Sequence, residues 1–311
     1  MGTVMLPDRV GLRALARILG SLDGATRLVG GAVRDMLAGE PVKDIDLATK
    51  LAPQEVMDRL QKARIKGVPT GIAHGTVTAV LSSGPVEVTT LRRDVSTDGR
   101  RATIAYTDDW REDAARRDFT INALYADPET GELFDYFGGE SDLAAGLVRF
   151  IGEPLQRIAE DHLRILRFFR FHARFGKGAP DAASLKACAE RANDLMALSR
   201  ERIADELLKL LALPRPVETV ELMLSHGIFL PVLPEISTTT GLAALVAREE
   251  SPDAVRRLAS LLPANGDVAG AIAKRLKLSK LATKRLVLAA EREDADAVNP
   301  RALAYRIGLE S

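Results

Sequence analysis

The spacing of apolar and polar residues changes character near residue 140. Before that point the chain reads as short apolar runs and alternations separated by glycine, proline and charged residues. After it the apolar period is helical throughout. In the first part, Thr26–Val29 predicts a short buried strand ending at Gly30-Gly31, with a helix over Ala32–Leu37 directly after and Gly39 ending it. Asp44-Ile45-Asp46-Leu47 alternates polar and apolar, the pattern of a half-buried strand. Residues 8–20 predict a leading helix, and Pro53–Ala63 another, with Val56, Met57 and Leu60 along one side. Thr76–Ser82 and Val86–Thr90 predict a hairpin across Ser83-Gly84-Pro85. The polar segment Arg92–Asp113 has little periodicity and predicts a mobile loop. Asp118–Tyr125 opens the next buried element, and Phe134–Gly139 reads as a strand running into a turn. From Ser141 on, only helices are predicted, punctuated by prolines at 154, 180, 214, 216, 231, 234, 263 and 300. The expected division is a mixed α+β head over residues 1–140, a helical neck over 141–213 and a helical body over 214–311.

Composition narrows this picture. The 311 residues allow one large or two to three small domains, and 46% hydrophobic residues suffice for real cores. The single cysteine, Cys188, excludes a disulfide framework or cysteine-rich zinc site, and four histidines argue against a histidine-rich one. Met1–Gly20 carries Arg9, Arg13 and Arg17 without a continuous apolar stretch, unlike a signal peptide. No apolar run of about 18 residues predicts a membrane span. A soluble protein of a reducing compartment, the cytoplasm, is expected. The formal net charge is zero, but the charge is uneven. Arg149–Lys177 holds seven Lys/Arg against three Asp/Glu, and Lys274–Arg285 holds six and none. Local patches, not the global sum, are what phosphate contacts require.

Residues i and i+2 of a strand share a face, so Asp44 and Asp46 are expected to project together. Adjacent carboxylates repel unless a cation neutralises them. A hard divalent ion such as Mg²⁺ suits an all-oxygen donor set completed by substrate phosphates. Glu87, in the alternating run Pro85–Thr89, is the third candidate ligand. Three carboxylates can hold two metals that serve the attacking and leaving oxygens of a displacement. An isolated Asp-x-Asp would more often be a solvated strand edge. The preceding Gly30-Gly31-x-x-Arg34 shifts the balance, since paired glycines admit close approach of a triphosphate and Arg34 can add a phosphate contact. The spacing is not the G-x-G-x-x-G of a dinucleotide site, and no βαβ repeat follows.

Two further segments concentrate polar groups. In Arg116-Arg117-Asp118-Phe119-Thr120-Ile121-Asn122, one arginine can face a nucleotide while the other pairs with an acid such as Asp113. Asp118 and Asn122 can hydrogen-bond a ribose. Read alone, the segment equally fits an ion-paired strand start. In Glu160–Phe171, Asp161, Arg164, Arg167 and Arg170 fall along one half of a helix at about 100° per residue, with Ile165, Leu166 and Phe169 opposite. That ridge is either a solvated ion-paired face or an acceptor–donor pair matched to the edge of cytosine or adenine. His74, alone at a strand entrance, reads as structural.

Together these motifs resemble the class II tRNA nucleotidyltransferase and bacterial poly(A) polymerase family. The match runs through Leu28–Asp35 with Asp44-Ile45-Asp46, Arg116–Leu124, Glu160–Arg164 and Ser199–Leu207. The resemblance implies a polymerase-β-like nucleotidyltransferase head followed by an all-α neck and body. It implies Mg²⁺ at Asp44 and Asp46, with Glu87 as the third carboxylate, and triphosphate handling by Gly30, Gly31 and Arg34. It implies nucleotide and ribose contacts from Arg117, Asp118 and Asn122. It implies an amino-acid template for CTP and ATP at Asp161 and Arg164, with Arg167 and Arg170 as further phosphate or base contacts. Arg92–Ala102, containing Asp98-Gly99-Arg100-Arg101, looks like the flexible loop that full CCA-adding members keep. The expected activity is template-independent addition of C-C-A to tRNA 3′ ends with release of pyrophosphate. The alternatives are poly(A) addition, partial tRNA end addition, or an inactive RNA-binding homologue. The family's helical body and tail are usually longer than a chain stopping at Ser311 supplies, so the expected tail is short or cut.

Overall fold

A computed structural model of the chain describes residues 2–98 and 101–292. The chain divides into two compact units, Met1–Asp161 and His162–Ser311.

In the first unit α1 (Leu12–Ile18) precedes β1 (Thr26–Val29), α2 (Gly31–Leu37), β2 (Asp46–Thr49), α3 (Pro53–Lys62), β3 (Lys66–Gly71), β4 (Thr76–Leu81) and β5 (Gly84–Thr90). Then come β6 (Arg92–Asp98), β7 (Arg101–Tyr106), α4 (Trp110–Ala115), β8 (Leu124–Ala126), β9 (Leu133–Asp135), α5 (Gly139–Ala145) and α6 (Pro154–Glu160). Seven strands form one sheet in the order β3-β4-β5-β2-β1-β8-β9. β2 and β5 run parallel, while every other neighbouring pair in this sheet is antiparallel.

The two faces of the sheet are sorted by strand alternation. Leu28, Leu47, Val77, Ala79, Val86 and Val88 point to one face, where Leu12 and Leu15 of α1, Val33 of α2, and Val56 and Leu60 of α3 cover them. Val29, Ala48 and Tyr125 point to the other, against Trp110 and Ala114 of α4. α3 forms where expected: Pro53 occupies its first turn, and Glu55–Arg59 and Gln54–Asp58 pair one turn apart on its solvent side.

Three sequence expectations are corrected here. Arg92–Asp113 is not a loop: β6 and β7 pair as a separate two-stranded antiparallel sheet, and α4 follows, capped by the Asp109 side chain accepting from Arg111 N. The central pair of the presumed flexible element, Gly99-Arg100, lies outside the described residues. β3 was not expected, since Lys66–Gly71 contains Gly67, Pro69 and Gly71 and pairs only along one edge, with β4. β5 begins at Gly84, so the hairpin turn is shorter than expected.

The second unit is helical: α7 (Arg164–Phe175), α8 (Ala182–Glu190), α9 (Arg200–Leu211), α10 (Val217–Ser225), α11 (Thr240–Val246), α12 (Ala254–Leu261), α13 (Gly266–Arg275) and α14 (Lys280–Ala290). α7 packs on α9 and α10; α12 packs on α9, α11 and α14. Arg257 is fully buried there, donating to the carbonyls of Leu211 and Leu213 at the end of α9 and pairing with Glu249. The mixed α+β head followed by an all-α region is the architecture the periodicity implied.

Candidate nucleotidyl-transfer site

The site is built at the centre of the sheet. Asp46 opens β2 and is in register with Glu87 on the parallel strand β5, so their side chains leave the same face. Asp44 lies just before β2 rather than inside it, exposed, with Ile45 buried between the two aspartates. Burial, then the charges of Glu87 and Asp44, lift the Asp46 carboxyl to about 6 against the pull of Arg117. Asp44, Asp46, Glu87 and Arg117 are therefore electrostatic neighbours. Among the described residues, no three His, Cys, Asp or Glu side chains are drawn together closely enough to enclose a metal ion. The carboxylates form an open, mutually repelling set of oxygen donors, which fits a hard cation.

The glycine turn sits at the end of β1. Gly30 has φ 68° and ψ −125°, a conformation that side-chain-bearing residues rarely adopt. A Cβ there would stand 3.1 Å from Arg117 Nη1. The missing side chain lets the guanidinium close over the turn.

Arg117 is fixed from behind. Its Nη2 donates to Asp113 Oδ2 at 3.1 Å and its Nε to Tyr125 Oη at 3.3 Å, while Tyr125 Oη donates to the same Asp113 oxygen at 2.7 Å. Arg116 Nε and the Arg92 backbone N–H donate to Asp113 Oδ1 at 2.8 and 3.2 Å. Asp113 is 1% exposed. Burial pushes its carboxyl up, but Arg117 and Arg116 outweigh it and hold it down at about 2. Burial opposes the charge of Arg117, yet the Tyr125 and Asp113 oxygens raise its pKa. Burial and Asp113 also lift Tyr125, against Arg117, so it stays a neutral donor. Both adjacent arginines thus share one acid, where the sequence suggested that one pairs and the other faces the nucleotide.

Arg34 is buried, and its donors are engaged within the protein. Nε and Nη2 donate to Asp35 Oδ1 at 2.9 and 2.7 Å, and Nη1 donates to Asn122 Oδ1. Asn122 Nδ2 donates to Asp118 Oδ1 at 2.9 Å, which also accepts from Phe119 N. Arg34, Asn122 and Asp118 form one relay that ties the start of α2 to the segment before β8. Sequence reasoning placed all three at the site but did not link them, and it missed Asp35 and Tyr125. Only a compatible charge one residue from Arg34 signalled Asp35; Tyr125 read as core.

Gly30, Gly31, Arg34, Asp44, Asp46, Glu87, Arg117, Asp118 and Asn122 all belong to the first unit. The selective motif is different. Asp161 is not on the helix of Arg164: α6 ends at Glu160, Asp161 takes an extended conformation at φ −152°, ψ 105°, and α7 opens at Arg164. The 100° wheel that put Asp161 with the arginines therefore does not apply across 161–163. Within α7, Arg170 Nε donates to Glu206 Oε2 of α9 at 2.5 Å, and Arg167 Nη1 lies 3.7 Å from Glu206 Oε1. Glu206 is 4% exposed. The basic run from Lys274 is also partly tied down, with Arg275 on Glu235, Lys277 on Glu201 and Arg285 on Asp253.

A mixed sheet presenting carboxylates beside a glycine turn and an anchored arginine, followed by a helical unit, is a nucleotidyltransferase fold. Residues 26–149 match the family described as "Poly A polymerase head domain", and residues 179–239 match "Probable RNA and SrmB- binding site of polymerase A". By sequence the chain belongs to the CCA-adding enzyme and poly(A) polymerase superfamily. It is 41% identical over 284 residues to the mitochondrial CCA tRNA nucleotidyltransferase 1 of Mus musculus, covering 87% of this chain and 63% of that protein. It is 38% identical over 232 residues to a CCA-adding enzyme of Geobacillus thermodenitrificans, covering 71% and 56%. The chain thus spans less than two thirds of these relatives. In fold it is similar to the Bacillus stearothermophilus CCA-adding enzyme in complex with CTP, with a TM-score of 0.63, 24% identity, and 96% and 82% coverage. It is likewise similar to the Thermotoga maritima CCA-adding enzyme complexed with tRNA, with a TM-score of 0.70, 20% identity, and 99% and 77% coverage. Among the described residues no helix is long and apolar enough to cross a membrane.

Proposed function

We propose that this chain is a template-independent RNA nucleotidyltransferase that builds C-C-A on tRNA 3′ ends from CTP and ATP. The observation carrying this reading is the in-register pair Asp46–Glu87, with Asp44 beside it and Arg117 closing over the Gly30 turn. The printed names of the relatives, CCA tRNA nucleotidyltransferase and CCA-adding enzyme, supply the substrate class.

In the proposed reaction the RNA 3′-hydroxyl attacks the α-phosphate of the incoming nucleotide and pyrophosphate leaves. Asp44, Asp46 and Glu87 would hold Mg²⁺, whose charge favours the attacking alkoxide and offsets that of the leaving group. Arg117, positioned by Asp113 and Tyr125, supplies fixed positive charge beside the glycine turn without reorganising at the moment of reaction. The Arg34–Asn122–Asp118 relay sets the floor on which nucleotide phosphates and ribose rest. Choice of base falls to Asp161 and Arg164, a carboxylate and a guanidinium able to pair with an amine-bearing base edge.

The head family's own description favours a second reading, poly(A) addition. The two are separated by offering tRNA lacking its terminus, tRNA ending in C-C, and an unrelated RNA, each with CTP, ATP or both, and sequencing the products' 3′ ends. Three-nucleotide additions confined to tRNA support CCA synthesis. Long A tails on the unrelated RNA would overturn it.

A further inference from the structure

The sheet face that carries Asp46 also carries a cation without an acidic partner. Arg27 on β1 is in register with Ala48 on β2. Alternate residues of a strand share a face, so Arg27 and Ala48 stand on the same side as Asp46. The Arg27 guanidinium lies 3.4 Å from the ring centre of Phe134 and 4.3 Å from that of Trp110, and its Nη1 donates to Tyr136 Oη at 2.9 Å. Several arginines of this unit have carboxylates, Arg17 on Glu129, Arg34 on Asp35, Arg59 on Glu55, Arg116 and Arg117 on Asp113, and Arg149 on Asp142. Among the described residues no ion pair is formed by Arg27. A half-buried guanidinium held by two rings and a neutral phenol is under-compensated, and an anion would complete it.

The surroundings name the anion. Phe134, Tyr136 and Phe137 are all half-buried, not buried, and exposed Arg111 holds its guanidinium 5.1 Å from the Phe137 ring. Tyr136 meets Tyr125 edge-on at 6.0 Å, and Tyr125 is the phenol that orients Asp113 and Arg117. The patch is therefore continuous with the chemical site. Partly exposed rings interleaved with guanidiniums are how proteins hold single-stranded nucleic acid, the rings stacking on bases and the cations taking phosphates.

We propose that Arg27, clamped between Phe134 and Trp110, binds a backbone phosphate of the RNA strand whose 3′ end enters the site, with Tyr136 and Phe137 as its base-stacking surface. This rests on the polymerising reading above. A nucleoside triphosphate offers the same phosphate chemistry, but Arg117 and the glycine turn already serve it, which leaves the RNA strand as the occupant.

The test uses the full chain, a fluorescent RNA stem with a single-stranded 3′ end, and CTP titrated separately. Arg27→Met is expected to weaken RNA binding about five- to tenfold, since a charge-assisted phosphate contact is lost, and to leave CTP affinity unchanged. The dependence of log K on log salt should become shallower by about 0.7, one single-strand phosphate contact. Arg27→Lys should recover part of the affinity. Lost CTP affinity with intact RNA binding would assign Arg27 to the triphosphate and overturn the proposal. Unchanged binding of both would leave Arg27 a packing residue and overturn it equally. Should Arg27→Met not fold, the unaltered protein is crosslinked to RNA bearing 4-thiouridine at its 3′ end. Crosslinks at Tyr136 or Phe137 support the assignment, and crosslinks confined to other peptides overturn it. If the protein binds this RNA but adds no nucleotide, the polymerising reading fails while the binding comparison still decides the role of Arg27.

Discussion

Asp113 holds Arg117 in place from behind, through a carboxylate oxygen shared with Tyr125. Its folded carboxyl is held at about 2, below the ordinary 3.8. A depressed acid contributes stability that is present above the unfolded value and lost as pH falls through the folded one. Asp113→Asn should therefore cost about 3 kcal/mol at pH 7, since it leaves buried arginines without their acid. Urea unfolding at pH 7 and pH 3 should show that penalty shrinking at the lower pH. The variant should also raise the KM for nucleotide as Arg117 loosens. An equal penalty at both pH values would remove the electrostatic account.

Asp46 has the opposite sign. Its carboxyl is raised to about 6, so its ionisation costs the fold stability: the cost is absent below about pH 4 and complete above pH 6. Asp46→Asn should stabilise the metal-free protein by about 1–3 kcal/mol at pH 7.5 and leave it nearly unchanged at pH 4, while abolishing nucleotide addition. Thermal unfolding in the presence of a chelator reads the first effect. Cation binding to the unaltered protein should release a proton near pH 5.5, measurable by calorimetry in buffers of different ionisation enthalpy. A variant no more stable at pH 7.5 than its parent would contradict this.

Gly30→Ala forces a side chain into a strained backbone region and against Arg117. A loss of about 1–3 kcal/mol is expected from the backbone alone, together with a higher KM for nucleotide. Gly31→Ala should be milder, because its Cβ would meet only Arg34 Nη2, at 3.5 Å. Equal effects at the two positions would mean that neither the backbone strain at Gly30 nor its approach to Arg117 matters.

In the helical unit, Glu206→Ala removes the buried carboxylate to which Arg170 donates and should cost about 3–5 kcal/mol, in line with breaking a buried pair. Arg164→Ala should instead change the ratio of C to A incorporation more than it lowers affinity for tRNA. Sequencing of products made with both nucleotides present checks this, and an unaltered ratio would remove Arg164 from base selection.

What was legible in the sequence was local. Gly30, Gly31, Arg34, Asp44 and Asp46 crowd a short stretch with unusual chemistry, and Thr26–Val29 and Pro53–Lys62 carry clear periods. The hairpin of β6 and β7 was missed because its strands form a separate two-stranded sheet outside the main one, so no strong apolar alternation marks them. The break at Asp161 was missed because nothing in Glu160–Leu163 is a glycine or proline, and the helical period continues numerically across it. Tertiary context overrode propensity there. Of the Asp113–Tyr125–Arg117 triad, the sequence offered an arginine pairing with Asp113 but not Tyr125, because side chains separated in sequence meet only once α4 is seated on the sheet.

The parallel pairing of β2 with β5 has a kinetic side. α3, β3 and β4 lie between Asp46 and Glu87 in the chain, so no turn or helix holds the two carboxylates together. They meet only when a long segment closes on itself, and such closures form slowly and late. Until then the chain owns a glycine turn and two aspartates but no site. A cation held by both Asp46 and Glu87 would bind the closed chain alone, and by mass action it would secure this non-local contact.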